Sequence, residues 1–177
     1  MENEAINVLL NRRSIRKYKP EQITDEELMT VINAGMYAPS GKCCQSPYII
    51  AVQNKEQREA VSKLNAKCWG TDIDPYYGAP TILLVFFGER SYDEEIGILD
   101  AGAATTNMLN AAYSIGLGSC WINRPKVMFE SEEGQALLKE WGITEKLRGV
   151  ASIALGYPDC ENPAAAPRKA DYYKIIK

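Results

Sequence analysis

The stretch TILLVFF, residues 81–87, decides the fold, because it is apolar from Ile82 to Phe87 without interruption. A strand with one solvated face alternates polar and apolar residues, whereas a strand covered on both faces is apolar throughout. We therefore predict a strand over 81–87 in the interior of a sheet that carries helices on both sides.

Shorter segments on either side of this stretch predict the rest of the sheet and its cover. Apolar runs predict strands over 48–52, 119–122 and 150–155. A capping box at Thr24 and Glu27 starts a helix that ends before Pro39. Helical spacing predicts further helices over 3–11, 54–69, 94–115 and 131–141. Strands interspersed with helices make the chain a single α+β or α/β domain.

The composition excludes several classes of function. The 177 residues carry a net charge of −3 and are 46% apolar, and a pI near 5.2 argues against nucleic acid as the main partner. The chain has no histidine, and its five cysteines form no Cys-x-x-Cys pair. Metal sites and Ser-His or Cys-His catalysis are therefore not expected. Either a side chain with an unusual pKa or a bound cofactor must do the chemistry.

The sequence also indicates where the protein works. No apolar run reaches the length of a membrane span. The first residues lack the cationic and apolar regions of a secretory signal. We expect a cytoplasmic protein with free thiols and no membrane partner.

A cluster of cations follows the first helix, in the sequence Arg12-Arg13-Ser14-Ile15-Arg16-Lys17. In an extended segment alternate side chains share a face, so Arg12, Ser14 and Arg16 could point at one anion. A phosphate suits this arrangement, because guanidinium groups match its oxygens with paired hydrogen bonds. The alternative is a solvated helix end whose cations offset the helix dipole.

Two other features suggest contacts beyond one domain. The predicted helix 94–115 contains the small residues AGAATT at 101–106, which suit close packing in a core or at a dimer interface. The chain from Pro158 onward has no core pattern, yet it ends in a segment rich in tyrosine and isoleucine, 170–177. This tail packs either on its own domain or on a partner subunit.

Four short motifs in register resemble the nitroreductase family of FMN-dependent flavoproteins. They are RRSIR at 12–16, APSGKCCQSP at 38–47, GLGSCWI at 116–122 and PRK at 167–169. The resemblance implies an α+β three-layer α/β/α sandwich with a mixed, mainly antiparallel sheet and an extended C-terminal tail. It also implies a homodimer in which residues 1–157 form the FMN-binding domain and residues 158–177 pack on the partner subunit.

By this resemblance the cations hold the FMN phosphate. Arg12, Ser14 and Arg16 would contact it, with Arg13 beside the ribityl chain or the ring edge. From the partner's tail, a basic residue would reach the same phosphate, and the tail has two cations at the matching place, Arg168 and Lys169. The alternative for these two is a solvated tail.

The remaining residues implied by the resemblance surround the flavin ring. They are Pro39, Ser40 and Gly41 from the other subunit, Gln45 near the ring, Asn65 at the pyrimidine edge, and Ser119, Cys120 and Trp121 beside it. Each also has an ordinary structural interpretation: a helix-ending turn for 39–41, a water-facing amide for Asn65, and core packing for the side chains of Cys120 and Trp121.

The chain departs from the commonest family pattern at Cys43 and Cys44. These thiols either have a redox role near the ring or are small buried residues. The loop 69–77 is a candidate substrate lid, in which Trp69, Tyr76 and Tyr77 could stack on an aromatic substrate or simply anchor the loop.

The resemblance implies an NAD(P)H-dependent oxidoreductase that reduces nitroaromatics, quinones or similar electrophiles by a ping-pong scheme. No side chain is expected to be catalytic, since hydride transfer would occur at flavin N5. The alternatives are a flavin-binding sensor or store switched by its thiols, and a related reaction such as reductive dehalogenation or flavin fragmentation.

Overall fold

The core of the fold is one sheet, seen in a computed structural model that describes residues 3–177. Within these residues the sheet has four strands in the order β1-β2-β4-β3. Their bounds are Pro47–Val52 for β1, Thr81–Phe87 for β2, Gly118–Ile122 for β3 and Arg148–Gly156 for β4. The predicted interior strand is confirmed, because β2 has a neighbour on each side and all of its residues are buried.

Helices cover both faces of the sheet. Their bounds are Glu4–Asn11 for α1, Asp25–Met36 for α2, Lys55–Trp69 for α3, Glu94–Ser114 for α4, Pro125–Glu130 for α5 and Glu132–Glu140 for α6. The capping box is confirmed, with the Glu27 N–H donating to Thr24 Oγ1 and the Thr24 N–H donating to the Glu27 carboxylate at 2.8 Å. The sequence does not predict α5, because a helix of only six residues is too short to show a helical repeat of apolar residues. Among the described residues, no helix combines the length and apolar character that crossing a lipid bilayer requires.

The side chains of β2 divide the core into two layers. Leu83 and Val85 pack with α2 and α4 on one face, whereas Leu84 and Phe86 pack with α3, α5 and α6 on the other. Burying a side chain of this size contributes about 1.5–3 kcal/mol. Burial on both faces of β2 therefore stabilises the fold, and no polar residue interrupts the strand between Ile82 and Phe87. Helices, sheet and helices form a three-layer sandwich.

The small residues of α4 allow close packing inside the domain. Ala101 and Ala104 are fully buried. A Cβ added to Gly35 of α2 would lie 2.8 Å from Met108 Cγ of α4, so the two helices touch at this glycine. The opposite side of α4 is exposed and carries Leu99. The small-residue stretch thus serves the core, and an apolar outer face remains.

The sheet is less mixed than expected. All neighbouring strands pair antiparallel. In residues 3–177, parallel pairing occurs only as an isolated bridge between Ser14 and Ser119, at the outer edge of β3. A second isolated bridge, antiparallel, joins Tyr18 to Pro158. The chain before α2 therefore adds to the sheet as single contacts and not as a strand.

The tail leaves the domain after β4, and residues 159–177 are exposed along their whole length. Four large apolar side chains lie on its surface: Tyr172, Tyr173, Ile175 and Ile176. The interpretation that these side chains pack on their own domain is wrong. The partner-subunit interpretation is taken up under the proposed function.

Candidate functional site

The arginine segment lies against the edge of β3. Ser14 bridges Ser119, and the Ile15 N–H donates to the Ser119 carbonyl at 3.0 Å. Ile15 is 5% exposed, and a Cβ on Gly118 would approach its side chain to 3.0 Å. The buried isoleucine fixes which way the segment faces. Arg12 and Ser14 are half-buried, and Arg16 is exposed.

Two polar atoms at this edge are buried without a partner in the described part of the chain. They are Arg13 Nε and Ser119 Oγ. Arg13 is otherwise engaged, because its Nη1 donates to the carbonyls of Leu10 and Arg12 at 2.8 Å each. A buried donor without an acceptor costs about 1–3 kcal/mol. An anionic ligand with several acceptor oxygens, such as a phosphate ester, would satisfy these groups, so the residues present fit such a group.

The pKa values at this edge reflect burial and crowding of like charges. Burial, and then the charge of Arg13, lowers the pKa of the Arg12 guanidinium. Burial raises the pKa of the Cys120 thiol, which keeps the sulfur uncharged beside the arginines. At the high pH where an arginine titrates, the charge of the Cys120 thiolate, and then interaction with the Tyr77 hydroxyl, raises the pKa of Arg16. Unpaired cations held this close favour the arrival of an anion.

The turn at Ser40–Ser46 is strained and is held by one carboxylate. Lys42, Cys43 and Gln45 all have left-handed φ values between 51° and 56°, a conformation that persists in non-glycine residues only when the surroundings impose it. The Asp100 carboxylate imposes it by accepting from the Gly41 N–H at 2.9 Å and from the Ser46 hydroxyl at 2.7 Å.

Asp100 is a site residue that the sequence reasoning missed. It is 5% exposed, on the buried face of α4. The sequence does carry a signal for Asp100, which is a single carboxylate next to the small residues 101–106. A charge buried at such a position is costly unless it accepts hydrogen bonds, so the carboxylate indicates nearby donors. Its two hydrogen bonds tie the turn 40–46 to α4.

Several side chains of this turn are exposed to solvent. Pro39, Cys43 and Gln45 are exposed, and Ser40 and Gly41 are half-buried. The interpretation of Cys43 as a small buried residue is therefore wrong. Within residues 3–177, no hydrogen bond links the turn to the arginine segment of the same chain. The expectation that the turn serves the other subunit's ring stays a prediction.

Asn65 and Tyr76 belong to a buried polar network. Asn65 is 0% exposed and donates to the Tyr76 hydroxyl at 3.0 Å and to the Asn123 carbonyl at 3.1 Å. The Tyr76 and Ser152 hydroxyls are 2.9 Å apart. Burial raises the pKa of Tyr76 to about 12, so the phenol stays neutral. The interpretation of Asn65 as a water-facing amide is wrong.

The structure corrects the predicted substrate lid at Tyr76. Its ring is 1% exposed, so it anchors the loop and cannot stack on a substrate. Tyr77 is partly exposed and lies beside Arg16, at the cation cluster. Trp69 is 53% exposed. Contact of Trp69 and Tyr77 with a substrate stays a prediction.

Arg124 is the second site residue that the sequence reasoning missed. It lies two residues after the end of β3, and its backbone has a φ of 85°. Its Nε donates to Asn65 Oδ1 at 3.0 Å, and its guanidinium carbon lies 4.5 Å from the centroid of the Trp69 ring. A single arginine before a proline gives no signal in the sequence, because the contact depends on the segment after β3 meeting α3, which is distant in the chain.

The structure places the remaining predicted residues as follows. The Cys120 side chain is buried in the core, as the packing interpretation expects. Trp121 is half-buried, and its indole N–H donates to Asn123 Oδ1 at 3.0 Å. Arg168 and Lys169 are exposed on the tail, where Lys169 lies 5.5 Å from the centroid of the Tyr172 ring. The two tail cations are thus not brought to the arginine segment of their own chain.

The structure is an α+β protein, an α/β/α sandwich with a cation cluster at one edge of its sheet. The model of the Nitroreductase family matches residues 9–73 and 71–157, and the chain belongs to this family. The recognition made from the sequence is therefore confirmed, and so is the fold class.

Individual relatives agree with this assignment. The NADPH-flavin oxidoreductase of Vibrio harveyi is 30% identical over 183 residues, which cover 94% of this chain and 70% of that protein. The FMN reductase [NAD(P)H] of Bacillus subtilis is 26% identical and is covered to 70%. A crystal structure of a nitroreductase with bound FMN from Bacteroides fragilis superposes with a TM-score of 0.89 at 28% identity, covering 99% of this chain and 100% of that one.

Proposed function

We propose that the protein is an FMN-dependent oxidoreductase that uses NAD(P)H to reduce small electrophiles such as nitroaromatics and quinones. Its family membership and its FMN-binding and NAD(P)H-dependent relatives support the class of reaction. The observation in this chain that carries the proposal is the arginine segment docked on β3, with Arg13 Nε and Ser119 Oγ buried and unpaired among residues 3–177.

We assign the phosphate of the cofactor to Arg12, Ser14 and Arg16. The docking of Ile15 fixes their backbone before any ligand arrives, so little conformational entropy is lost on binding. The half-buried position of Arg12 strengthens its interaction with an anion, because water screens the charges less there. Arg13 contributes its free Nε, while its Nη1 holds the end of α1.

When bound, the flavin supplies the redox chemistry, taking a hydride from the nicotinamide and passing electrons to the acceptor. The chain's own residues orient and shield it. The strained turn 40–46, which Asp100 fixes, would place Ser40, Gly41 and Gln45 beside the flavin. The backbone of β3 presents the N–H and carbonyl groups of Ser119–Trp121.

We further propose a homodimer in which the tail, residues 158–177, lies on the partner. The tail exposes Ile176 to 80%, and α1, α2 and α4 expose apolar side chains that include Leu10, Tyr37 and Leu99. A groove of about 460 Å³ lies between these helices. Large apolar patches of this kind mark protein interfaces. The arrangement would also carry Arg168 and Lys169 to the partner's cation cluster.

We also propose a cytoplasmic location, because the five cysteines are free thiols, as expected in a reducing compartment.

The experiment that tests the proposal is purification under native conditions followed by spectroscopy and light scattering. We expect a yellow dimer with one FMN for each chain and oxidation of NADH or NADPH that depends on an added quinone or nitroaromatic. A colourless protein that gains no flavin absorbance when incubated with FMN would refute the cofactor. A monomer that binds FMN fully would refute the shared site.

A further inference from the structure

The guanidinium of Arg124 has no role in the cofactor contacts proposed above, yet three constraints fix it. Its backbone is left-handed at φ 85°, which costs a non-glycine residue about 1–3 kcal/mol. Its Nε donates to Asn65 Oδ1 at 3.0 Å. Its plane lies over the indole of Trp69, with the guanidinium carbon 4.5 Å from the ring centroid. An arginine with no function would not need to be held this way.

The groups that hold Arg124 are themselves immobile. Asn65 is fully buried and uses its amide hydrogens on the Tyr76 hydroxyl and the Asn123 carbonyl. Tyr76 is in turn fixed by Ser152 on β4. A polar network in which the members are satisfied is rigid. Arg124 is therefore anchored to the sheet through Asn65, and its guanidinium lies over the ring of Trp69.

The charge of Arg124 is not neutralised in the described chain. Within residues 3–177, no carboxylate lies within ion-pair distance of it, and its two Nη atoms make no hydrogen bond. The amide, phenol and hydroxyl of its buried network are neutral, and so is the exposed indole of Trp69. A planar guanidinium with free Nη groups and a stacked face is suited to paired hydrogen bonds with a carboxylate or phosphate.

The position of Arg124 separates this anion from the cofactor phosphate. Arg124 adjoins Asn65 and Trp69, the residues expected at the pyrimidine edge and in the lid. The cofactor phosphate is assigned to a different group, around Arg12 and Ser14. Resting on the proposed function, we propose that Arg124 is a specificity-determining residue that binds an anionic group of the small molecule reacting at the flavin. The anion is the carboxylate of an acidic acceptor or the 2′-phosphate of NADPH.

The test compares charged and neutral substrates of matched shape on the flavin-loaded dimer. For the acceptor, 4-nitrobenzoate is compared with 4-nitrobenzamide at a fixed NADH concentration. For the donor, NADPH is compared with NADH against a neutral quinone. In Arg124→Gln we expect KM for one charged member to rise about tenfold or more, the loss expected for one charge-assisted contact. KM for its neutral counterpart should change less than about twofold, and the arm that responds identifies the source of the anion.

Two variants control for charge and folding. Arg90→Gln removes the same charge from an exposed turn and should leave all four KM values unchanged. Arg124→Lys keeps the charge but not the paired geometry, and should recover part of the lost discrimination. Flavin content is measured for each variant, so loss of cofactor is distinguished from loss of substrate recognition.

A measurement on the unmodified holoenzyme needs no variant and no turnover. We expect benzoate to raise the melting temperature more than benzamide, or 2′-phosphorylated adenosine to raise it more than adenosine. Equal shifts within both pairs, or equal changes of KM for charged and neutral substrates in Arg124→Gln, would overturn the role of Arg124 and leave the proposed function standing. A wild-type protein without flavin or turnover would instead refute the proposed function.

Discussion

The arginine segment 12–19 and the tail 159–177 both lie outside the helices and strands, and both carry cations that we assign to the cofactor phosphate. They differ in what holds them. Ile15 and Tyr18 of the segment are buried, and the Tyr18 hydroxyl donates to the Ile15 and Ala154 carbonyls at 2.7 and 3.2 Å. The segment is thus built into the domain by apolar burial and by hydrogen bonds to the sheet.

The tail is joined to the domain only near its start. The Asp159 N–H donates to the Lys17 carbonyl at 3.0 Å, and the Asn162 amide donates to the Asn11 carbonyl at 2.8 Å. Beyond Asn162, no hydrogen bond connects the tail to the rest of the described chain. One cation group is therefore positioned by its own domain, whereas the other depends on something outside it.

If the tail lies on a partner as proposed, one subunit prepares the phosphate site and the other completes it. Changes in the segment should then affect flavin binding without affecting assembly. Loss of the apolar end of the tail should affect assembly first, whereas loss of its two matched cations should weaken flavin binding alone.

Deleting residues 163–177 should have the largest effect. It removes the exposed apolar end of the tail but keeps the hydrogen bonds from Asp159 to Lys17 of the segment and from Asn162 to Asn11 of α1. We expect a monomer that has lost its FMN and keeps the far-UV circular dichroism of the folded domain, because the deleted residues bury nothing in it. Light scattering and flavin absorbance measure both effects. A truncated protein that stays a flavin-loaded dimer would contradict the assignment of the tail.

Replacing Arg12 and Arg16 together by alanine should release the flavin while the dimer persists. Two charge-assisted contacts are worth about 1.5–3 kcal/mol each, so the Kd for FMN should rise at least about 100-fold. Fluorescence titration of the apoprotein with FMN gives the Kd. Lys17→Ala is the matched control, because its cation forms an exposed ion pair with Asp159 at 2.9 Å. Wild-type flavin content in the double variant would show that the phosphate lies elsewhere.

Asp100 tests the turn 40–46, which is strained but fixed by its own chain. Asp100→Ala leaves the Gly41 N–H and the Ser46 hydroxyl without their partner, at a cost of about 1–3 kcal/mol. Asp100→Asn keeps an acceptor for Gly41 and can donate to Ser46. We expect urea unfolding and FMN titration to show a clear loss for the alanine variant and partial rescue by asparagine. If both variants lost the same stability and FMN affinity, the negative charge of Asp100 would matter and its hydrogen bonds to the turn would not.

The sequence predicts the fold well because its signals are local and redundant. The capping box at Thr24, the proline after α2 and the apolar run 81–87 each set an element boundary within a residue or two. The short helix Pro125–Glu130 escapes prediction, because its six residues show no period. It forms where the chain must turn between β3 and α6.

The candidate site is predictable only where its chemistry is contiguous in the chain. The cluster at 12–16 is visible because its cations lie side by side. Asp100 and Arg124 are not, because each acts on a segment more than twenty residues away. The prediction that Tyr76 contacts a substrate is wrong for the converse reason. An aromatic residue in a loop is expected to be exposed to ligands, and only the packing shows that this ring is buried.

Replacing Arg168 and Lys169 by alanine should have a smaller effect than the loss of the tail. The exposed tail positions suggest weaker contacts, each worth about 0.5–1.5 kcal/mol, so the Kd for FMN should rise by about tenfold and the dimer should remain. The control is Lys174→Ala with Lys177→Ala, two cations of the same tail outside the matched motif. If both double variants behave alike, the tail contributes general charge and no specific contact.

The smallest effect is expected at Tyr157, where the domain gives way to the tail. Its hydroxyl donates to the Glu27 carboxylate at 2.7 Å. This bond, followed by those from Thr24, lowers the pKa of Glu27 below its ordinary 4.5, and the same bond raises the pKa of Tyr157 above 10.0. The stabilisation from Glu27 is present above pH 4.5 and is lost as the pH falls through the lowered pKa. That from Tyr157 is present below pH 10.0 and is lost as the pH rises further.

Tyr157→Phe should therefore lower the melting temperature slightly between about pH 5 and pH 9, with the two proteins converging on either side. Tyr92→Phe, which changes an exposed tyrosine outside the proposed dimer surface, should show no such window. Parallel curves over the whole range would mean that the bond to Glu27 contributes nothing. If instead the window appears while FMN affinity and the dimer are unchanged, Tyr157 belongs to the domain. The region held by its own chain then includes Tyr157 and continues to Asn162, the last tail residue with a hydrogen bond to the rest of the described chain.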